Sequence, residues 1–494
     1  MSHASKSRKC LIALFTLVLV AFAGVSVAIA CDALVIMPNC TKDGSVIFAK
    51  EMDRGNNECP HIISVPGMKH KKGEMVKCTH IEIPQVTQTY TVIGNQPFWM
   101  WGFECGMNEY GVSVADMAIW TKDKTELEEK GLVGADLERL AIERGRTAYE
   151  AMHVLVDLLE KYGQWGNCTN VAGDVVVFNN SFLIADPKEA WMLETSNRRW
   201  VAKKVTDFME LSNAPMIGAR YDEGSADIVE HAKEKGWYDG SVPFNFARVY
   251  TDFGKWPDFA DIRQSRAMQL LQAKRGEITT EYVERILRDH YEDSFINMRF
   301  GPMSSVFRTL DYYPFYGHSV TSMIAHLRND ESIPKEMRYV YYSTLSSPGC
   351  SIFMPFYPNA KIPEKLAIGT DKYSKDSPWW SFDKLMRMTE YNQAVFMPMV
   401  AATWKDVEGL QGDKTWNAEK TARGLIVQGK QKEAMTVFTD LMAQNLDRNL
   451  NIAAKLQESF KTLYPVLPAR IPDIKSPRKA DTYDKMAGID VWGD

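Results

Sequence analysis

The chain has no Gly-x-Ser-x-Gly elbow, no His-Glu-x-x-His pair and no Walker-type phosphate loop. Those absences remove the serine nucleophile of an α/β-hydrolase, a zincin metal site and a nucleoside-triphosphate enzyme. Cysteine is scarce, with eight in 494 residues, at 10, 31, 40, 59, 78, 105, 168 and 350. None has the closely paired spacing of a zinc site, and the nine histidines are scattered, so no metal and no cofactor is expected. Beyond residue 30 no apolar run approaches the ~18 residues of a spanning helix, so no stable membrane span is expected. Cationic excess is also missing. Lys+Arg 58 against Asp+Glu 63 gives a net charge of -5, which argues against a nucleic-acid partner. Neither an internal repeat nor a low-complexity tract is present.

What is present starts with the first thirty residues. Lys6, Arg8 and Lys9 form a positive n-region, Leu11 to Ala23 an uncharged apolar run, and Ala28-Ile29-Ala30 a small-x-small cleavage pattern. This is the anatomy of a secretory signal. The expected organisation is a signal peptide over 1–30, a catalytic domain over 31–375, and a C-terminal helical region and tail over 376–494 packed on it. The expected location is secreted, periplasmic or in the secretory-pathway lumen, with signal peptidase as the maturation partner. Six cysteines besides Cys10 and Cys31 could pair in such a compartment or stay as buried thiols. A lipoprotein signal, which would lipidate Cys31, is the competing reading of the same segment.

Cleavage after Ala30 would leave Cys31 with a free α-amine. The thiolate is the reactive form of cysteine, and a free thiol has a pKa of about 8.5. An α-amine titrates at about 7.7–8.0, so the residue carries a nucleophile and a matched base together. Apolar runs at 32–37 and 45–50 flank Lys42-Asp43-Gly44, and Asp-Gly between such runs predicts a hairpin. Cys31 then opens a strand, and Lys50 and Asp53 return beside it. A solvated charged turn is the alternative reading of 49–54.

Further strands are predicted at 78–83, 89–94, 112–117, 175–178, 181–185, 190–194, 200–205 and 208–211, with a tight connection at 106–111. Helices are predicted over 134–162, broken at Gly145 and restarted by the Thr147/Glu150 capping box, and at 260–271 and 280–290. Strands at 338–343 and 351–354 precede long helices over 379–404 and 417–462. The tail from Leu467 reads as a strap or a partly disordered segment. Strands, a helical pair and more strands suggest α+β sheets covered by helices.

Several ordered blocks resemble the secernins, within the secernin/dipeptidase family of N-terminal-nucleophile cysteine hydrolases. They include Cys31-Asp32, Lys42-Asp43-Gly44-Ser45, Val46 to Lys50, Met52-Asp53-Arg54, Trp99-Met100-Trp101-Gly102, Gly106 to Val112, Leu158 to Gln164, Asn167-Cys168-Thr169 and Asn180 to Asp186. The resemblance implies a four-layer αββα sandwich and amide-bond hydrolysis. By matching positions, Cys31 is the nucleophile and Asp53 the carboxylate that contacts its amine. Lys50 stands where dipeptidase and bile-salt-hydrolase relatives carry arginine. Asn213, in Ser212-Asn213-Ala214-Pro215, is an oxyanion or substrate-binding candidate. Asp116 lies near the place of the relatives' oxyanion asparagine, which is absent here, and is taken with Arg266 as substrate-binding. Glu51-Met52 replaces the secernins' Asn-Ser pair. The resulting expectation is an exported hydrolase of small peptides or amides, dipeptidase-like. An acylase on N-acyl amino acids and a non-catalytic secreted or lipid-anchored binding protein are the alternatives. Oligomeric state is left open between monomer and homo-oligomer.

Overall fold

The structure is a computed structural model that describes residues 31–55, 57–123, 130–171, 173, 175–255, 260–292, 318–466 and 484–493. The signal segment 1–30 and the tail over 467–483 lie outside the described residues. In chain order the strands are β1 (Cys31–Ile36), β2 (Val46–Arg54), β3 (Pro60–Val65), β4 (Met75–Lys77), β5 (Glu82–Pro84), β6 (Val92–Pro97), β7 (Cys105–Asn108), β8 (Ser113–Ile119), β9 (Asn179–Ala185), β10 (Ala190–Ser196), β11 (Arg199–Val205), β12 (Phe208–Leu211), β13 (Glu223–Gly224), β14 (His318–Leu327), β15 (Tyr339–Ser343) and β16 (Met354–Phe356). The helices are α1 (Gly134–Arg144), α2 (Ala148–Tyr162), α3 (Ile228–Glu234), α4 (Phe246–Tyr250), α5 (Ala260–Ala273), α6 (Thr280–Ile286), α7 (Pro378–Tyr391), α8 (Gln393–Val427) and α9 (Gln431–Leu463).

Two large antiparallel sheets form, in the orders β12-β1-β2-β14-β15-β16 and β13-β11-β10-β9-β8-β7-β6-β3. Alternation along β1 and β2 explains the packing. Ala33, Val35 and Phe48 point into a central core shared with Ala115, Met117, Leu183 and Met192 of the other sheet. Leu34, Ile36, Ile47 and Ala49 point the opposite way, onto Ala267 and Leu271 of α5 and Val283 and Ile286 of α6. The far face of the eight-stranded sheet, through Val114, Phe182, Ile184 and Leu193, packs on Leu137 and Leu140 of α1 and Leu155 and Leu159 of α2. Trp379, Phe396 and Phe438 of the C-terminal helices join the central core.

The local signals act as expected at several points. Asp43 Oδ1 accepts from Ser45 N at 3.1 Å and Ser45 Oγ at 2.6 Å, and Gly44 turns the β1–β2 connection at φ +73. Thr147 Oγ1 accepts from Glu150 N at 3.1 Å and starts α2. Gly163 ends it at φ +73. Elsewhere tertiary contacts override the pattern. The run 78–83 is mostly the turn between β4 and β5, because buried Asp136 accepts from Thr79 Oγ1 at 2.7 Å and Thr79 N at 3.1 Å. Residues 106–111 include part of β7, and β3 and β14 were not anticipated. Residues 175–178 form no strand among those described. β12 leaves its chain neighbours and pairs with β1 in the other sheet. The C-terminal helices divide at Asn392 and around Gly429 (φ +75), whereas 405–416 is helical.

Candidate active site

Register builds the site. Cys31 pairs with Met52 and Ala33 with Lys50, so the end of β2 lies beside the start of β1. On the other flank Ala33 pairs with Leu211, so the residues after β12 run back toward Cys31. Asn213 thereby reaches it: Cys31 N donates to Asn213 Oδ1 at 2.9 Å. Asn213 Nδ2 donates to Ala118 O at 2.9 Å. The amide oxygen thus faces the Cys31 nitrogen, which is the geometry for orienting an amine. The Cys31 thiol approaches Asp53 O at 3.8 Å. Burial pushes that thiol well up, Lys50 opposes the rise, and Glu104, Glu51 and Asp53 add to it. Such a thiol keeps its proton until a base removes it.

Lys50 lies on the face of β2 turned toward the central core, and it is completely buried. Its Nζ donates to Glu104 O and Asp116 O, both at 2.5 Å, and meets Asp116 Oδ1 at 3.0 Å and Glu104 Oε2 at 3.4 Å. Burial lowers its proton affinity, but Asp116, Cys31, Glu104 and Glu138 outweigh that and hold the ammonium charged. Burial lifts Asp116 to about 6 against the pull of Lys50. Arg54 extends the network, donating to Glu104 Oε1 at 2.8 Å, Glu58 Oε1 at 2.5 Å and Cys168 O at 2.9 Å.

The opposite face of the sheet carries a second charged group. Asp32, Glu51, Asp53 and Glu210 are all buried there, with Arg263 of α5 among them. Arg263 Nη1 donates to Asp32 Oδ2, and Nη2 donates to Asn213 Oδ1 at 2.8 Å. Ser319 Oγ of β14 donates to Asp53 Oδ1 at 2.8 Å.

Cys31, Lys50, Asp53, Asn213 and Asp116 are therefore brought together. Arg266 is not. It sits about one helical turn beyond Arg263 and grips Asp289 through Nε at 2.7 Å and Nη2 at 2.6 Å. The separation of Arg266 from the cluster follows from helix geometry, since a step of three residues changes which neighbour a long side chain meets. Sequence reasoning missed Arg263, Glu104 and Glu138. The only local hint of Glu104 was an acid set between Phe103 and Cys105. The seven described cysteines are free buried thiols. Among the described residues no group of three His, Cys, Asp or Glu side chains is placed to hold a metal ion.

The family described as Peptidase family C69 matches residues 30–253 and 237–406. Two Streptococcus pyogenes proteins, each named probable dipeptidase A, are similar to this chain. One is 23% identical over 395 residues, covering 71% of this chain and 81% of its own length. The other is 22% identical over 393 residues, covering 71% and 80%. Among solved structures, a mutant conjugated bile acid hydrolase from Clostridium perfringens aligns with a TM-score of 0.39 at 16% identity, over 70% of this chain and 97% of its own. An N-acylethanolamine-hydrolyzing acid amidase ortholog from Caenorhabditis elegans aligns with a TM-score of 0.29 at 11% identity, over 60% and 92%.

Proposed function

The chain belongs to peptidase family C69, and from that membership we propose that it is an exported dipeptidase that works through the freed N-terminus of Cys31. The observation that carries this is the Cys31 nitrogen held at 2.9 Å by Asn213 Oδ1, at the mouth of a strand flanked by Lys50 and Asp53. Three apolar cores, helix on sheet, sheet on sheet and sheet on helix, support a four-layer αββα sandwich of the N-terminal-nucleophile type. The cleavage pattern ahead of Cys31 supports removal of residues 1–30 by signal peptidase and export.

In the mature chain the neutral α-amine takes the Sγ proton, and the sulfur attacks the scissile carbonyl carbon. Lys50 lowers the cost of the thiolate. Asp53 and Asn213 orient the amine. Collapse of the tetrahedral adduct breaks the C–N bond, and the amine returns its proton to the departing nitrogen. A water then attacks the thioester, giving up its proton to the same amine, and the second product leaves with Sγ restored. Small-peptide hydrolysis is favoured over acyl-amide hydrolysis by the dipeptidase names of both relatives.

N-terminal sequencing of the exported protein should read Cys31-Asp32-Ala33. Cys31→Ala should abolish release of amino acids from a dipeptide panel while leaving the melting temperature within a few degrees. A blocked or diacylated Cys31, or full turnover by Cys31→Ala, would overturn the proposal. Faster cleavage of N-acyl amino acids than of dipeptides would reassign the substrate class.

A further inference from the structure

The outer face of the β1–β2 sheet poses a charge problem. Asp32, Glu51, Asp53 and Glu210 are each no more than 1% exposed, and Arg263 is the cation placed among them. Four ionised carboxylates against one guanidinium cannot be held in a dry core, since each unpaired buried charge costs several kcal/mol or takes up a proton. The hydrogen bonds indicate where the protons reside. Asp32 is held by Arg263 and Asp53 by Ser319, so these two carboxylates have donors. Glu51 and Glu210 have none: both oxygens of each are buried without a hydrogen bond from an N–H or O–H. Ser319 lies close enough to Glu51 to ease its ionisation, but its hydroxyl has one proton, and that proton is directed at Asp53 Oδ1 at 2.8 Å.

What the two glutamates do have is another carboxylate. Glu51 faces Asp32 across β1 in register and lies within hydrogen-bonding reach of Asp53, two residues along the same face. Glu210 lies within reach of Asp32. Two carboxyl groups in contact share a proton, because like charges that close cannot both ionise. Among the described residues the titratable groups of this set come from four elements, while β14, paired with β2, adds the hydroxyl of Ser319 and carries His318, whose ring meets Asp383 at 3.3 Å. β1 contributes Asp32 and the Cys31 amine, β2 contributes Glu51 and Asp53, β12 contributes Glu210, and α5 contributes Arg263.

We propose that Glu51 is a positioning residue, held as a neutral carboxylic acid that donates to Asp53 and limits the negative charge facing the Cys31 amine, with Glu210 doing the same for Asp32. The purpose is chemical. Four ionised carboxylates would hold the amine as an ammonium ion, which cannot accept the thiol proton. With protons on Glu51 and Glu210, only Asp32 and Asp53 remain charged, and Arg263 balances one of them. Asn213 Oδ1 connects this set to the reaction, accepting from both Arg263 Nη2 and Cys31 N. Burial first, then Asp53 and Asp32, raise the proton affinity of Glu51 and outweigh the hydroxyl of Ser319, which lowers it. The inference rests on the amine of Cys31 being the base.

The test compares Glu51→Gln with Glu51→Leu in the mature full-length protein. An amide N–H replaces the acid O–H, so Glu51→Gln should keep kcat/KM within about threefold and leave the acid limb of its pH profile in place. Leucine cannot donate, which leaves Asp53 with more of its charge. Glu51→Leu should lose about 100-fold in kcat, because the Cys31 amine is then held protonated and its contribution as base is withheld, and should move the acid limb to higher pH. Infrared spectra at neutral pH should show a protonated-carboxyl band that weakens in Glu51→Gln. An acid limb that moves to lower pH in Glu51→Gln would mean that a negative charge had been removed, and would overturn the inference. So would equal losses in the two variants, or an infrared band unchanged by Glu51→Gln. Should Glu51→Leu fail to fold, the Glu51→Gln profile and spectrum decide alone. If Cys31→Ala kept full turnover, the amine-base reading itself would fail, whatever Glu51 does.

Discussion

The two faces of β2 handle buried charge in opposite ways. On the inner face a lysine is placed among Glu104, Asp116 and Glu138, and every proton of its ammonium has an oxygen to meet. On the outer face Arg263 lies among four carboxyl groups, and in the arrangement proposed above the surplus is neutralised by protons. The inner arrangement fixes a cation beside a thiol. The outer one limits an anionic field beside an amine. One strand with a period of two supplies both, because neighbouring residues point to opposite faces.

Removing the inner cation should have the largest effect. Lys50→Met leaves Asp116 and Glu104 without it and should cost about 3–5 kcal/mol of stability, together with nearly all turnover. Adding Asp116→Asn should recover part of the stability but not the activity. Denaturant unfolding and a dipeptide assay measure the two. A double variant no more stable than Lys50→Met would break the picture of the inner face as a compensated pair.

The outer face is sharpened by a pair of arginines on α5. Arg263→Leu should lower both stability and kcat, because Asp32 loses its partner and Asn213 one of its donors. Arg266→Leu should lower stability through Asp289 but leave kcat/KM within about twofold. Equal effects on catalysis would erase the distinction between the two positions.

The smallest expected effect is a pH slope. Burial lifts Glu194 to about 7, although it accepts from Met216 N at 2.6 Å and Ile217 N at 2.9 Å, just past Asn213. A raised carboxyl means the folded state binds the proton more tightly than the unfolded state. Its contribution is therefore largest below its ordinary pKa of 4.5 and falls as pH rises through about 7. Glu194→Gln should flatten that part of the stability–pH curve. A parallel curve for the variant would show that Glu194 does not titrate there.

Some of this was legible in the chain itself. Asp43-Gly44 between apolar runs implied the hairpin that returns Lys50 and Asp53 to Cys31. The capping box at Thr147 and the glycine at 163 placed the ends of α2. The alternation of β2 did not reveal β14, whose Ser319, Thr321 and Ser322 interrupt the apolar signal yet are fully buried where they pair with β2. The helices expected at 379–404 and 417–462 leave out 405–416, but α8 runs through that stretch; a side chain at Gly409 or Gly412 within it would meet open space.

What the sequence determined alone is order and alternation: a cysteine at the head of a strand, a lysine on one face and acids on the other. Those follow from covalent spacing. The tertiary structure decided who meets whom and who holds a proton. Asn213 is 182 residues from Cys31, and Arg263 is 231 from Asp32. Burial sets the cost of each charge, and burial exists only once the sheets and α5 have closed around them.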